Sequence, residues 1–168
     1  MKKQILYVIT SLILLSCGVQ KFEDKTYEYS DDITFEIKAM ANISMTENVT
    51  PSITDTTYIT KKGSRFKRMI IKFNNHSNME QTIDFSKFYL LNDKNLKYKV
   101  HFVMQYGKAY GRNIQIRQRT LSANKERSFL MEFHPAFAKG KNPKALLIED
   151  PNVVTRDKVI PLLYLDKD

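Results

Sequence analysis

Cys17 is the single cysteine of this 168-residue chain, and it stands directly behind Leu14-Leu15-Ser16. Its thiolate is the side chain best suited to forming a thioether, and the small Ser16 leaves the peptide bond between them open to a peptidase. Other reactive groups are scattered. His76, His101 and His134 are the three histidines, and none has the spacing of a metal-binding pair. His76 falls in an Asn-rich turn and His101 on a polar strand face, so both are expected to be solvated. Asp31-Asp32 and Asp84 lack a companion placed for general acid–base work, and Glu149-Asp150 reads as a turn. No Gly-x-Ser-x-Gly elbow, phosphate-cradling glycine loop or Cys–His nucleophile pattern occurs. The expectation is a protein that is not an enzyme and needs no cofactor or metal.

The residues before Cys17 say where such a thiol would act. Met1-Lys2-Lys3 is a short positive start, followed by the apolar block Ile5 to Leu15. A membrane-spanning helix needs about 20 such residues, so this block is too short to remain in a bilayer. A charged start, a brief apolar stretch and small residues at its end have the form of a secretory signal. Leu14-Leu15-Ser16-Cys17 then resembles the lipobox of bacterial lipoproteins. That resemblance implies cleavage after Ser16, a diacylglycerol on the Cys17 thiol and acylation of the new amino group. The alternative is an ordinary signal peptide cut near Cys17, leaving a free thiol. Gly18 gives no acidic cue for inner-membrane retention, which points to an outer-membrane location.

A mature chain from Cys17 to Asp168 has one domain's length. At that size about 68–70% of the unfolded surface is buried, with no disulfide to help. Formal charge is +9, which favours anionic partners such as lipid headgroups, acidic glycans or nucleic acid, and another envelope protein is a further candidate. Export argues against nucleic acid. The densest basic run is KKGSRFKR, with Lys61, Lys62, Arg65, Lys67 and Arg68. With Phe66 facing inward, Arg65 and Lys67 would share the solvent face and could meet an anionic surface. The competing reading is a solvated face that blunts a sheet edge.

The rest of the chain must position these groups, and its pattern is period two. Ile33, Phe35 and Ile37 alternate with Thr34, Glu36 and Lys38. Met69, Ile71 and Phe73 oppose Arg68 and Lys72; Tyr98, Val100 and Phe102 oppose Lys97, Lys99 and His101; Phe129, Met131 and Phe133 continue the theme. Alternation rich in aromatic and β-branched residues marks half-buried strands. ALLIED and KVIPLLYL close the chain as a last apolar pair, and a single helical turn fits near Phe85 to Phe88. Turn residues between these runs argue for an all-β sandwich. The expected layout is a signal peptide over 1–16, a lipidated Cys and polar tether over 17–32, and a β-sandwich over 33–168. Tyr27, Tyr29, Tyr106 and Tyr110 are read as packing rather than as an exposed aromatic surface.

The segment MIIKFNNHSNMEQTIDFSKFYLLNDKNLKYKV resembles the immunoglobulin-like (telokin-like) domains common in bacterial lipoproteins. The matching features are Phe73-Asn74-Asn75, Phe85-Ser86-Lys87-Phe88-Tyr89-Leu90, Asn92-Asp93 and Lys97-Tyr98. TLSANKERSFLMEFHP extends the likeness. Ala123-Asn124 stands where Pro-Gly is usual, and Lys94 where a turn glycine is expected. The resemblance implies an immunoglobulin-like antiparallel β-sandwich on a lipid tether, and it brings no catalytic residues. The Cys…Trp…Cys core of antibody domains is absent. The function read from the sequence is a lipid-anchored cell-envelope domain that binds or scaffolds another component. The alternative is an envelope enzyme acting on polysaccharide or peptide through a site assembled from loops.

Overall fold

The computed structural model describes residues 19–43, 64–107, 117–151 and 153–165. They form β1 (Val19–Lys21), β2 (Thr26–Glu28), β3 (Ile33–Ile43), β4 (Arg65–Asn75), β5 (Gln81–Asp84), β6 (Phe88–Leu91), β7 (Lys97–Gln105), β8 (Gln118–Leu121), β9 (Glu126–Phe137), β10 (Ala145–Ile148) and β11 (Val159–Pro161). The single turn expected near Phe85 is a 3-10 turn, Phe85–Lys87. Asp84 caps it by accepting the Ser86 N–H at 2.9 Å. The antiparallel, all-β architecture is as expected.

The main sheet runs β1-β3-β4-β9-β7-β6-β10-β11, with β2 also on β3, while β5 and β8 form a separate ribbon. Strands three places apart in a flat sheet would be roughly 14 Å apart. Yet the Phe73 ring of β4 lies 6.2 Å from the Phe88 ring of β6, so the sheet must curl. It curls until its ends meet, with a bridge pairing Phe22 and Tyr164 and the Leu165 N–H donating to the Lys21 carbonyl at 3.2 Å. The curled sheet and the ribbon enclose one core, to which Ile83 and Leu121 of the ribbon contribute fully buried side chains.

Pairing overturns the expected tether. Residues 19–32 belong to the domain, because β1 pairs Val19 with Ala41 and β2 pairs Tyr27 with Phe35. Tyr29 is buried and its hydroxyl donates to Asp150 Oδ2 at 2.7 Å. Burial first, and then Asp150, push that hydroxyl's pKa up. Tyr29 is packing, as expected, and Asp150 is more than a turn residue.

Two turns explain residues that departed from the family pattern. Asn124 has φ 51° and Asn95 has φ 60°. Asparagine tolerates this left-handed region better than most residues, so Asn124 replaces the usual glycine. In the other turn the left-handed residue is Asn95, one place beyond Lys94. Asn75 shows why a strand should end in this residue type. Its side chain is buried, donates to the carbonyls of Met79, Leu121 and Ser122, and accepts from Ser77, which ties together two turns.

Candidate functional site at the basic end of the sheet

Registers place Val19, Ile43, Arg65, Phe137, Leu91 and Ala145 at one end of the sheet. Ile33, Asn75 and Glu126 lie at the other. Exposed Lys21, Arg65, Lys94, Lys139, Lys141 and Lys144 belong to the first end. Asp93 lies among them, 3.7 Å from the Lys141 ammonium. This end is basic, but its make-up differs from the predicted cluster.

Cys17, Lys61 and Lys62 lie outside the described residues. Arg65 is exposed. Lys67 is 2% exposed, so it does not share a solvent face with Arg65 or meet an anionic surface. The cause is strand parity. Met69, Ile71 and Phe73 define the core face of β4, and the alternation runs unbroken back to Lys67, opposite Phe133. Phe66 therefore faces outward, though it too is buried. Arg68 also lies on the outer face and is engaged by Glu132. The exposed cations that take their place come from the loop after β9, AKGKNPK. Its lysine spacing beside a Gly140 turn was the signal available in the sequence.

Lys67 Nζ donates to Asn42 Oδ1 and, at 2.7 Å, to Asn142 Oδ1. It also lies 5.7 Å from the centre of the Phe137 ring. These partners are neutral, and burial pushes its pKa down to about 8. The unfolded amine keeps its proton to about pH 10.4. Between those values the unfolded chain binds more protons, so stability rises with pH. Lys67→Met removes a buried charge while its two asparagines stay within reach of water. The variant is expected to be more stable near neutrality by about 1 kcal/mol or more. Thermal melts of both proteins from about pH 7 to 10 should show the gap narrowing as the wild-type amine discharges. A constant gap would mean that the amine does not titrate in that window.

On the outer face, three strands contribute a stack of rings. Phe66 and His134 lie 4.2 Å apart, and His134 and His101 4.0 Å apart. The expectation of a solvated His101 is corrected, because a register shift between Val100 and Phe102 puts it against its neighbour strand. Glu132 receives a hydrogen bond from His134 Nε2 at 2.9 Å and one from Arg68 Nε at 2.8 Å. Burial alone would raise the Glu132 pKa. The hydrogen bonds from His134 and Arg68, with the Arg68 charge, outweigh it and hold the carboxyl below its ordinary value. His134 is 1% exposed, which closes this group to a substrate. His76 is exposed, as expected, with Nε2 2.9 Å from Thr34 Oγ1.

Among the described residues, grooves open at two places on the surface. One of about 240 Å³ is lined by Thr34, Glu36, Lys72, Asn74 and His76. A smaller one of about 100 Å³ opens at the sheet closure beside Phe22, Tyr27, Leu162 and Leu163. Among the described residues, no three His, Cys, Asp or Glu side chains are grouped to hold a metal ion, and no helix is long and apolar enough to cross a membrane.

No protein-family model matches the chain, and no curated protein sequence does. A functionally unknown protein from Listeria monocytogenes EGD-e is similar in fold, with a TM-score of 0.51 and 14% identity over 71% of this chain. The chain spans 63% of that protein's length. MPT63, a secreted protein from Mycobacterium tuberculosis, aligns over 81% of this chain and 88% of its own, at 11% identity and a TM-score of 0.44. That likeness is too loose to bear on the role of either chain.

Proposed function

We propose that this protein is a non-catalytic, lipid-anchored domain of the cell envelope. Acyl chains on Cys17 hold it at the outer membrane, where it binds or scaffolds an anionic envelope component. One observation carries the reading: the fold takes up the chain at Val19, two residues after Cys17. Two residues span at most about 7 Å, so a domain anchored at Cys17 stays against its leaflet. Two or three acyl chains make such attachment essentially permanent. The basic end of the sheet is the end at which Val19 lies, which suits an anionic surface.

An envelope hydrolase would need a deeper site. Substrate pockets usually measure about 300–1,000 Å³, and the two grooves described are smaller. Of the convergent His101, His134 and Glu132, the last two are buried and only His101 is partly open. Intact-mass measurement of the natural protein should show added acyl weight, and Cys17→Ser should move the protein from the membrane to the soluble fraction. An unmodified mass or unchanged fractionation would overturn the anchoring, and hydrolytic activity in the purified protein would overturn the non-catalytic role.

A further inference from the structure

We propose that the outer face of the seam between β11 and β1, around Leu163 and Leu165, rests in the headgroup region of the leaflet that holds the Cys17 lipid. This deepens the anchoring reading and depends on it for orientation. Along the last strand and its continuation, Ile160 and Leu162 point into the core. The alternate positions point out, and Val159, Leu163 and Leu165 are 57%, 63% and 48% exposed. Such a density of open aliphatic side chains on one short segment is unusual for a surface that meets only water.

The closure of the sheet extends this apolar strip. The hydrogen bond from the Leu165 N–H to the Lys21 carbonyl places the two residues side by side. Val19 lies on the same face, two residues earlier in β1. In the other direction Val159 pairs with Leu147 and Pro161 with Ala145. Leu147 and Ala145 form a second apolar cluster with Leu91 and Tyr89, separate from the main core. An apolar band therefore crosses the outer face of β6, β10, β11 and β1. Lys21, Lys94, Lys139, Lys141 and Lys144 border it at the end of the sheet where Val19 enters.

Charge and reach select the occupant. A second copy docking through the same end would bring like charges together, whereas an anionic leaflet attracts them. The two-residue step from Cys17 to Val19 keeps the edge of the band at Val19 within roughly one Debye length, about 8 Å, of the surface. Aliphatic side chains held there gain by entering the boundary between headgroups and acyl chains.

The chain contains no tryptophan, so single-tryptophan variants give an unmixed signal. Leu163→Trp, with Leu165→Trp as a second reporter, and Met79→Trp at the opposite end would be introduced into the full lipidated protein. Each would be placed in vesicles of phosphatidylethanolamine and phosphatidylglycerol, with and without brominated acyl chains. The seam reporters are expected to show blue-shifted emission and several-fold stronger quenching by brominated lipid than Met79→Trp. Quenching equal to that of Met79→Trp in both reporters would overturn the proposal. So would a blue shift without lipid quenching, which would identify a second copy as the cover. The acyl mass of each sample scores the anchoring separately. If it is absent, the same protein added to the vesicles from solution still reports whether the seam meets lipid.

Discussion

Phe73→Ala is expected to destabilise the domain by about 3–5 kcal/mol. Phe73 is fully buried on β4, and its ring meets those of Tyr29, Phe35, Phe85, Phe88 and Phe129 within 6.2 Å. These partners come from the β2–β3 connection, β3, the 3-10 turn, β6 and β9. The ring is therefore where the facing walls of the curled sheet meet across the core. Truncation removes the buried area and leaves a cavity bounded by aromatic rings that cannot collapse without moving several strands. Against a total stability of about 5–15 kcal/mol, the loss approaches unfolding. Urea denaturation should show a lower midpoint with little change in slope. Phe73→Leu, which keeps most of the volume, should lose about 1.5 kcal/mol or less. Equal losses for both variants would show that ring geometry, rather than filled volume, holds the sheet closed.

How much of this was legible depends on the range of the signal. Alternation in β3, β4 and β9 marked Ile33, Phe35, Met69, Ile71, Phe73, Phe129 and Met131 as core, and all are buried. Period two survives in a long strand whatever its partner. Turn chemistry was legible in part: Asn124 stands at the expected left-handed position, whereas Asn95 lies one place beyond the Lys94 marked for it. The short strands β1 and β2 were not. Three residues contain too few alternations to separate a strand from a linker, and the charged residues around Phe22 suggested solvent for the stretch as a whole. Only pairing with β3 places them inside. In β7 the expected set Tyr98, Val100, Phe102 gives way past the register shift, where Val103 joins the core.

The candidate site was less legible for the same reason. Lys67 looked like one member of a basic run, but its parity belonged to Met69 and Phe73. A lysine on a core face conflicts with composition-based reasoning, and only the strand end, near Asn42 and Asn142, makes the position tolerable. The basic end is assembled from Lys21, Arg65, Lys94 and the lysines after β9, which are far apart in sequence. The apolar band beside it is likewise divided among four strands. Net charge predicted an anionic partner; topology was needed to say that the cations gather where the chain enters the fold.

Glu132 supports the second large prediction. Its carboxylate is shared by His134 Nε2 at 2.9 Å and Arg68 Nε at 2.8 Å, and only 8% of its side chain is exposed. Glu132→Ala is expected to cost on the order of 3 kcal/mol. Arg68, about one-third exposed, can turn to water, but His134 loses the acceptor for its ring N–H in a closed setting. Glu132→Gln should cost less, since an amide oxygen of the same shape can still accept one of the two bonds. Acid titration separates the charge from the shape. The folded carboxyl lies below its ordinary value, so it binds fewer protons than the unfolded group, whose pKa is about 4.3. Its stabilisation is thus complete above that value and is lost as pH falls through the folded pKa. Denaturation midpoints measured from about pH 6 to 3 should fall more steeply in the wild type than in Glu132→Gln. Parallel curves would show that the carboxylate charge does not hold the Arg68–Glu132–His134 group together.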